Sequence, residues 1–204
     1  MSIPTIGIIL GTTRQGRFGD RPANWIFDIA RQRSDLAFEL VELVDLRDYP
    51  IPLFEATLSP NYAPVDNDHS RAFVKKMAEL DGYLFVTAEY NHSVSGTLKN
   101  ALDHLPLDAL GKKPAAFLGY GGTGGARAVE QLRLIAVELS LVPTRAAVHI
   151  GMEPYLGVWK EGKSFNDYPY LVSTAGPMLD ELAWYAKTLK VGRQLSAAEA
   201  TLAA

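Results

Sequence analysis

Residues 6–30 read IGIILGTTRQGRFGDRPANWIFDIA, and this stretch decides the fold. Its first five residues form an almost unbroken apolar run, which is typical of a β-strand buried on both faces of a sheet. A glycine-rich turn follows the run. The apolar residues beyond the turn recur at the i, i+3, i+4, i+7 spacing of an amphipathic helix, as Ala23, Ile26, Phe27 and Ala30. The stretch therefore predicts a strand, a loop and a helix, the opening of a β-α-β unit.

The same alternation of short apolar runs and helical patterns continues along the chain. Further strands are predicted at about Ala37–Leu43, Gly82–Thr87, Ala115–Tyr120 and Val142–Ile150. Helices are predicted around Ser70–Leu80, from a cap at Ser95 through Leu105, around Leu132–Leu139 and over Met178–Lys190. The alternating pattern of the second strand favours an edge position. The sequence therefore predicts an α/β fold, a doubly wound five-stranded parallel sheet with helices on both faces.

Length and composition are those of an ordinary globular protein. With 204 residues, of which 48% are hydrophobic and 21% charged, we expect one domain over residues 1–193 and a frayed tail over 194–204. The net charge is −3 without a long run of like charge, which argues against nucleic acid or an anionic membrane as a partner. The absence of cysteine excludes disulfides, thiolate metal sites and thiol catalysis.

Nothing in the sequence indicates export or membrane insertion. The segment from Met1 to Pro4 lacks the basic residues and the long apolar core of a signal peptide. No apolar stretch approaches the roughly 20 residues of a membrane span. We therefore expect a cytoplasmic protein.

Three loops of unusual composition follow predicted strands. We name them loop 1 (Gly11–Gly19), loop 2 (Ala88–Ser95) and loop 3 (Gly119–Gly125). In a doubly wound sheet, ligands bind outside the carboxyl ends of the strands, where the strand order reverses. The three loops are therefore expected to converge on one binding site.

Loop 1 has the features of an anion-binding turn. Between a strand and a helix, it offers backbone N–H groups, the hydroxyls of Thr12 and Thr13 and the positive end of a helix dipole. Arg14 and Arg17 can pair with phosphate oxygens. The loop lacks the Gly-Lys-Ser/Thr ending of an ATP-type loop and the Gly-x-Gly-x-x-Gly spacing of a Rossmann fold. The alternative interpretation is a polar turn with two solvated arginines.

Loops 2 and 3 suit a flat ring. Tyr90 of loop 2 can cover such a ring, whereas the alternative is a plain connection in which Ser95 caps the next helix. A lone exposed histidine such as His92 is more often a loop residue than a general acid, and we assign no catalytic side chain. Loop 3 has five glycines in seven positions, which let a flat ligand lie against the backbone. Together the loops predict a ligand with a phosphate at one end and a flat ring at the other.

Two other groups of residues and one long loop stand out. Asp66–His69 resembles a metal cluster, but a solvated loop that caps the next helix is the simpler interpretation, and we expect no metal. Ser93, His92 and Asp103 offer a Ser/His/Asp set without the Gly-x-Ser-x-Gly elbow or the chain order of a hydrolase.

Residues 45–68 are rich in proline and aromatic residues and show no helical or strand periodicity. A long irregular segment of this kind is typical of a functional loop or an interface.

The three loops resemble those of a known family, the NADPH-dependent FMN reductases of flavodoxin-like fold, which include quinone, azo-dye and chromate reductases. Residues 12–17, TTRQGR, are similar to the family's phosphate loop. Residues 89–103, EYNHSVSGTLKNALD, are similar to the signature after its third strand, and Gly119–Gly122 resembles its third flavin loop. Ala88 stands where the family usually has proline, and a second proline that is common near Ser95 is also missing.

The resemblance implies an FMN-dependent oxidoreductase that transfers hydride from NADPH or NADH to a small acceptor such as a quinone, an azo compound or a free flavin. It implies that loop 1 holds the FMN phosphate and that loops 2 and 3 hold the ring. The implied cofactor-binding residues are Thr12, Thr13, Arg14, Arg17, Gly19, Glu89, Tyr90, Asn91, His92, Tyr120, Gly121 and Gly122. It also implies a homodimer or tetramer, for which we expect the aromatic, proline-rich stretch Tyr49–Tyr62 to lie at or near a contact.

Three other functions compete with this interpretation. An electron-carrier flavodoxin would bind FMN without a substrate pocket, but such carriers tend to be strongly acidic and have Ser- and Thr-rich phosphate loops. A phospho-receiver regulator needs an acidic pair after the first strand, where this chain has Gly11 and Thr12. A flavin-bearing redox sensor is compatible with the sequence, because a fold does not determine a function.

Overall fold

The computed structural model describes residues 3–36 and 40–202. Over these residues the chain forms a parallel sheet with the strand order β2-β1-β3-β4-β5. The strands are β1 (Thr5–Leu10), β2 (Leu40–Asp45), β3 (Gly82–Ala88), β4 (Pro114–Tyr120) and β5 (Val142–Ile150). The helices are α1 (Asp20–Gln32), α2 (Asp68–Glu79), α3 (Gly96–Asp103), α4 (Leu107–Leu110), α5 (Ala126–Glu138), α6 (Met152–Lys160) and α7 (Pro169–Leu202). Short 3-10 helices lie at Leu46–Asp48 and Phe165–Asp167.

Apolar side chains cover both faces of the sheet, which confirms the predicted doubly wound fold. Ile6 and Ile8 of β1 belong to one core cluster with side chains of α1 and α7, and Ile9 belongs to a second cluster with α2, α3 and α5. Successive residues of a strand point to opposite faces, so an unbroken apolar run serves both clusters. The central strands β3 and β4 are buried along their whole length. β2 lies at an edge, as predicted.

Helix α7 is longer than the sequence predicts. The predicted helix spans Met178–Lys190, whereas α7 spans Pro169–Leu202 with Pro177 inside it. Because proline normally ends or kinks a helix, the sequence pattern does not predict the turns of α7 that precede Pro177. The expected frayed tail from residue 194 is wrong for the described residues, because the Ala-, Leu- and Glu-rich segment continues the helix. None of the described helices combines the length and the apolar character of a membrane span.

Two smaller differences concern the ends of elements. Helix α6 occupies a segment for which the sequence predicts no helix, because Pro154 and Gly157 weaken its helical pattern. The second strand runs on to Asp45 instead of ending at Leu43, and its predicted first residues, 37–39, lie outside the described residues.

The strand order brings the three loops to one edge of the sheet. From β1 the chain passes through α1 on one face to β2, and it returns through α2 on the other face to β3, on the opposite side of β1. The strand order therefore reverses at β1, and loops 1, 2 and 3 leave the carboxyl ends of β1, β3 and β4. This edge is the binding position that a doubly wound sheet provides.

Candidate functional site

Loop 1 is fixed to β3 and α3 through Gly11. The Gly11 N–H donates to the Val86 carbonyl at 2.9 Å, and the Ser95 hydroxyl donates to the Gly11 carbonyl. The Ser95 oxygen also accepts a hydrogen bond from the Leu98 N–H at 3.1 Å, which confirms Ser95 as the cap of α3. Loop 1 therefore has a defined position at the edge of the sheet.

The tip of loop 1 presents backbone donors to the outside. The Arg17 N–H donates to the Arg14 carbonyl at 3.2 Å and closes a turn in which Gly16 has a φ of +65°. Within the described part of the chain, the N–H groups of residues 13–16 donate to no protein acceptor. Consecutive free N–H groups ahead of a helix form a concavity that attracts anions.

Arg17 is buried and bound to partners inside the protein. Its side chain is 1% exposed, and its five N–H groups donate to Asp20, to Asp45 and to the Thr12 carbonyl. A guanidinium has five N–H donors, so none is left over for a ligand. Direct contact between Arg17 and a phosphate, as the resemblance implies, is therefore not supported. Arg17 instead stabilises the backbone of loop 1 from the protein interior.

Arg47 completes this cluster of charges. It donates to Asp45 at 2.8 Å and to Asp20 at 3.0 Å, so that two arginines balance two carboxylates. Burial would raise the pKa of Asp45, but the hydrogen bonds from Arg17 and Arg47 outweigh it and lower the pKa to about 2. The carboxylates near loop 1 are thus neutralised and do not repel an anion.

Arg14 is the unbalanced cation of loop 1. Its side chain is exposed, and its guanidinium carbon lies 5.8 Å from the ring centroid of Tyr90 in loop 2. Among residues 3–36 and 40–202 it pairs with no carboxylate. Arg14 therefore brings a positive charge to the space between loops 1 and 2.

Loop 2 begins with a tight turn. Tyr90 and Ser93 exchange backbone hydrogen bonds of 2.9 and 3.1 Å, and the two residues between them, Asn91 and His92, have φ angles of 49° and 74°. Asparagine and histidine tolerate this left-handed conformation better than most residues. Both side chains are exposed on the outside of the turn. The turn leaves Tyr90 beside loop 1.

Glu89 connects loop 2 to loop 3 and to α5. Its carboxylate is 4% exposed and accepts hydrogen bonds from Arg127 Nε at 2.5 Å, from the Arg127 N–H at 3.1 Å and from the Thr123 hydroxyl at 2.9 Å. Burial would raise the pKa of Glu89, but these hydrogen bonds outweigh it and lower the pKa. The carboxylate is therefore occupied by protein donors, and Glu89 holds the two loops together.

Tyr120 connects loop 3 to loop 1. Its hydroxyl lies 3.3 Å from the hydroxyl of Thr12, and burial raises its pKa to about 12 although this hydrogen bond acts in the opposite direction. Gly19 makes room for the contact, because a Cβ at this position would lie 2.7 Å from the Tyr120 hydroxyl. Thr12 and Gly19 therefore contribute to the site by holding the Tyr120 hydroxyl in place.

Loop 3 leaves open space above its backbone. Gly121 has a φ of 147°, a conformation that favours glycine, and its N–H donates to the Ile150 carbonyl at 3.2 Å. A Cβ on Gly122 would meet no protein atom within 4 Å. A flat group can therefore approach the backbone of Gly122 without displacing a side chain.

A cleft of about 330 Å³ lies between the three loops and α6. It is lined by Arg14, Gly16, Arg17, Phe18, Ala88, Glu89, Tyr90, Tyr120, Gly121, Gly122, Met152, Tyr155 and Trp159. Most of the expected cofactor-binding residues thus come together. Asn91 and His92 are not among the lining residues, and Thr13 lines an adjacent cleft of about 320 Å³ with Arg47, Tyr49 and Thr97.

Sequence reasoning missed the side of the cleft that α6 provides. Met152, Tyr155 and Trp159 line the cleft from this helix. Their spacing of i, i+3, i+7 is that of one helix face and was the available signal. Phe18 of loop 1 was also missed, although it stands between the two glycines Gly16 and Gly19 of an otherwise polar loop.

Comparisons with known proteins agree with this geometry. The family model of the NADPH-dependent FMN reductases matches residues 4–154. An NAD(P)H-dependent FMN reductase of Nectria sp, ntnL, is 31% identical over 147 residues, which cover 69% of this chain and 72% of the relative. A 2-hydroxy-1,4-benzoquinone reductase of Burkholderia sp is 33% identical over 143 residues, which cover 67% of this chain and 72% of the relative.

A solved structure shows the same fold. An oxidoreductase from Corynebacterium diphtheriae matches with a TM-score of 0.71 at 16% identity, and the match covers 92% of this chain and 99% of that one. The sheet, the loops and the sequence relatives lead to one assignment. The chain belongs to the NADPH-dependent FMN reductase family, and it is an FMN-dependent NAD(P)H oxidoreductase of flavodoxin-like fold.

Proposed function

We propose that the chain reduces a small quinone with NADPH or NADH in the cleft between the three loops and α6. One observation carries the proposal: in the described part of the chain, the free N–H groups of Arg14 and Gly16, the charge of Arg14 and the open backbone of Gly122 meet at one cleft. The Burkholderia relative is named for a benzoquinone, which supports a quinone as the acceptor. The net reaction converts NAD(P)H, a quinone and one proton to NAD(P)⁺ and a hydroquinone.

Loop 1 fits the phosphate of FMN. The N–H groups of residues 13–16 supply hydrogen-bond donors, and Arg14 supplies a positive charge that no carboxylate of the described residues balances. In our proposal Thr13 contributes through its backbone. Thr12, Arg17 and Gly19 shape the loop and do not contact the phosphate.

Loops 2 and 3 fit the flavin ring. Tyr90 lines the cleft beside Arg14, and the backbones of Glu89, Gly121 and Gly122 line it from two adjacent strands. Loop 3 offers the close backbone approach that a flat ring requires. We propose no contact with the ring for the side chains of Asn91 and His92, which are exposed and are not among the residues that line the cleft.

The protein supplies binding and orientation in this proposal, and no side chain acts as a catalytic acid or base. Bound FMN would supply the redox chemistry, which is acceptance of a hydride and delivery of electrons to the acceptor. Arg14 and loop 1 hold one end of the cofactor, while the joined loops 2 and 3 hold the other. We propose that residues 1–193 form the FMN-binding domain, to which the last turns of α7 are attached.

An absorbance spectrum tests the proposal directly. The protein reconstituted with FMN should retain one flavin per chain after gel filtration, and the flavin band should bleach when NADPH or NADH is added without oxygen. Adding 1,4-benzoquinone should then restore the band. A protein that stays colourless after reconstitution would contradict the cofactor site. A retained flavin that neither nucleotide reduces would favour the carrier or sensor function.

We also propose that the chain works as a homodimer or tetramer. The stretch Tyr49–Tyr62 is anchored near both ends: Asn100 donates to the Pro52 carbonyl at 2.8 Å and accepts from the Phe54 N–H at 2.9 Å, and the Asn61 side chain accepts from the Leu107 N–H at 2.7 Å. Between and beside these anchors Leu53, Leu58 and Tyr62 remain exposed. An anchored loop with exposed large apolar side chains is typical of an interface.

Light scattering measures the assembly. A mass that is a multiple of the 22.3 kDa chain supports the proposal, and a concentration-independent monomer would contradict it. Leu58→Asp should shift the protein toward the monomer, whereas Leu195→Asp, on the exposed end of α7, should not.

We propose the cytoplasm as the location of the protein, since a reductase of this kind needs nicotinamide nucleotides, and cell fractionation would test this.

A further inference from the structure

Helix α6 places an aromatic group at the edge of the cleft. The helix begins immediately after β5, so it lies at the same carboxyl edge of the sheet as the three loops. Tyr155 packs on Phe18 of loop 1 with ring centroids 4.1 Å apart, and Trp159 meets Tyr155 edge to face at 5.6 Å. The three rings form one continuous apolar side of the cleft.

The position of α6 is fixed by contacts with α1 and with the start of α7. Arg21 of α1 donates a hydrogen bond to the Val158 carbonyl. The Tyr168 hydroxyl packs so closely on Gly157 that a Cβ there would lie 1.9 Å from it. Helix α6 is therefore packed against the body of the protein at the side of the cleft.

Two large apolar side chains of α6 are still open to solvent within the cleft. Trp159 is 52% exposed and Met152 is 44% exposed, and both line the cleft together with Arg14, Gly121 and Gly122. Exposed large apolar side chains in a concave site are typical of ligand contacts. Among the described residues Tyr155 is the one aromatic ring that packs on Trp159, and the flexible Lys160 side chain places its ammonium 5.2 Å from the Trp159 ring centroid.

We infer that Trp159, assisted by Met152, forms the face on which a planar aromatic acceptor packs, and that it selects such acceptors over compact ones. This inference rests on the proposed quinone reduction. An indole ring stacks well on a flat ring, and a methionine sulfur makes favourable contacts with aromatic rings. A small quinone has few other contacts, whereas a nicotinamide nucleotide is also held through its sugars and phosphates. Binding of the acceptor should therefore depend on Trp159 more than binding of the nucleotide does.

Binding without turnover tests the inference. Oxidised, FMN-loaded protein is titrated with 1,4-naphthoquinone by calorimetry in the absence of any nucleotide, so that no electrons are transferred. Trp159→Ala should raise the Kd for naphthoquinone about tenfold, the loss of one good ring contact. The matched control is Trp184→Ala, because Trp184 is 63% exposed on α7 and is not among the residues that line the cleft. It should leave the Kd unchanged.

Steady-state kinetics provide the second measurement. Trp159→Ala should lower kcat/KM for naphthoquinone about tenfold, because KM rises while kcat stays the same. For ferricyanide, a compact inorganic acceptor, the variant should have the same kcat/KM as the wild type. The rate at which NADPH reduces the flavin should change by less than about threefold. Met152→Ala should show the same pattern with a smaller effect, because a methionine contact is weaker than an aromatic stack.

The outcomes separate this inference from the function on which it rests. If the variant binds FMN and naphthoquinone as the wild type does, the inference is wrong and the proposed function stands. If FMN affinity falls as much as naphthoquinone affinity, Trp159 belongs to the flavin site and the inference is wrong. If the wild type takes up no FMN, or NADPH does not reduce it, both the function and the inference are wrong.

Discussion

Arg17 and Asp45 form a two-point ion pair, in which Nη1 and Nη2 of the arginine lie 2.8 and 2.5 Å from the two carboxylate oxygens. Arg17 belongs to loop 1 and Asp45 ends β2, so the pair fastens the loop to a neighbouring strand. The arginine keeps its charge at every pH of interest, whereas the aspartate can be neutralised by acid. The stability of this part of the molecule should therefore depend on pH.

Asp45→Asn should lower the free energy of unfolding by about 2 kcal/mol at neutral pH, because folding lowers the pKa of Asp45 from 3.8 to about 2. A lowered carboxyl pKa stabilises the fold fully above the unfolded value, and this contribution is lost as the pH falls toward the folded value. Urea unfolding should show the difference between wild type and variant shrinking below a pH of about 4. Asp48→Asn, an exposed neighbour, is the control, and equal stabilities at neutral pH would contradict the prediction.

Arg14→Ala should weaken FMN binding about tenfold and leave riboflavin binding within about twofold, because riboflavin lacks the phosphate that we propose Arg14 contacts. Titration of both flavins against the FMN-free protein measures the two affinities. The exposed Arg31, at the other end of α1, provides a control of equal charge change as Arg31→Ala. Equal FMN affinities of wild type and Arg14→Ala would show that Arg14 does not bind the phosphate.

Arg17→Ala should act through the fold rather than through the phosphate. Removing this buried cation leaves Asp20 and Asp45 with Arg47 alone, and we expect a loss of about 3 kcal/mol from the FMN-free protein. Arg17→Lys should recover only part of it, since an ammonium has three donors instead of five. Urea unfolding without FMN measures the loss of stability. The matched control is Arg14→Ala, which should be as stable as the wild type. A stable Arg17→Ala protein that no longer prefers FMN over riboflavin would place Arg17 on the phosphate after all.

Gly122→Leu should block the flavin ring without disturbing the fold. A side chain at this position enters open space, so the thermal unfolding of the FMN-free protein should be unchanged. FMN affinity should fall about a hundredfold or more, because the new side chain would occupy the place that we propose for the ring. Gly192→Leu, on the exposed end of α7, adds the same side chain where it also meets no atom and should bind FMN normally. Unaltered FMN binding by Gly122→Leu would place the ring elsewhere.

Local patterns were sufficient to predict the sheet and its binding edge. The inner strands β1, β3 and β4 are short apolar runs, the main helices have an apolar face, and parallel strands necessarily bring their carboxyl ends to one side. The cap at Ser95 was predictable for the same reason, because its partner lies three residues away. These features depend on neighbours in the sequence, and the structure confirms them.

The features that escaped prediction depend on residues far apart in the sequence. Arg17 looks like a phosphate ligand until Asp45, 28 residues later, is placed beside it. The carboxylate of Glu89 meets Arg127 only through the pairing of β3 with β4. A charge pattern read along the chain shows which groups are present but not which of them neutralise one another.

The buried carboxylate of Glu89 has a mechanical consequence. Because it joins Thr123 and Arg127 to the end of β3, the distance between the two sides of the ring site is set before any ligand arrives. A gap of preset width binds without a large entropic penalty, since little has to be ordered on binding. We therefore expect such a gap to discriminate by thickness, so that a puckered or branched molecule should bind less tightly than a flat one of the same polarity.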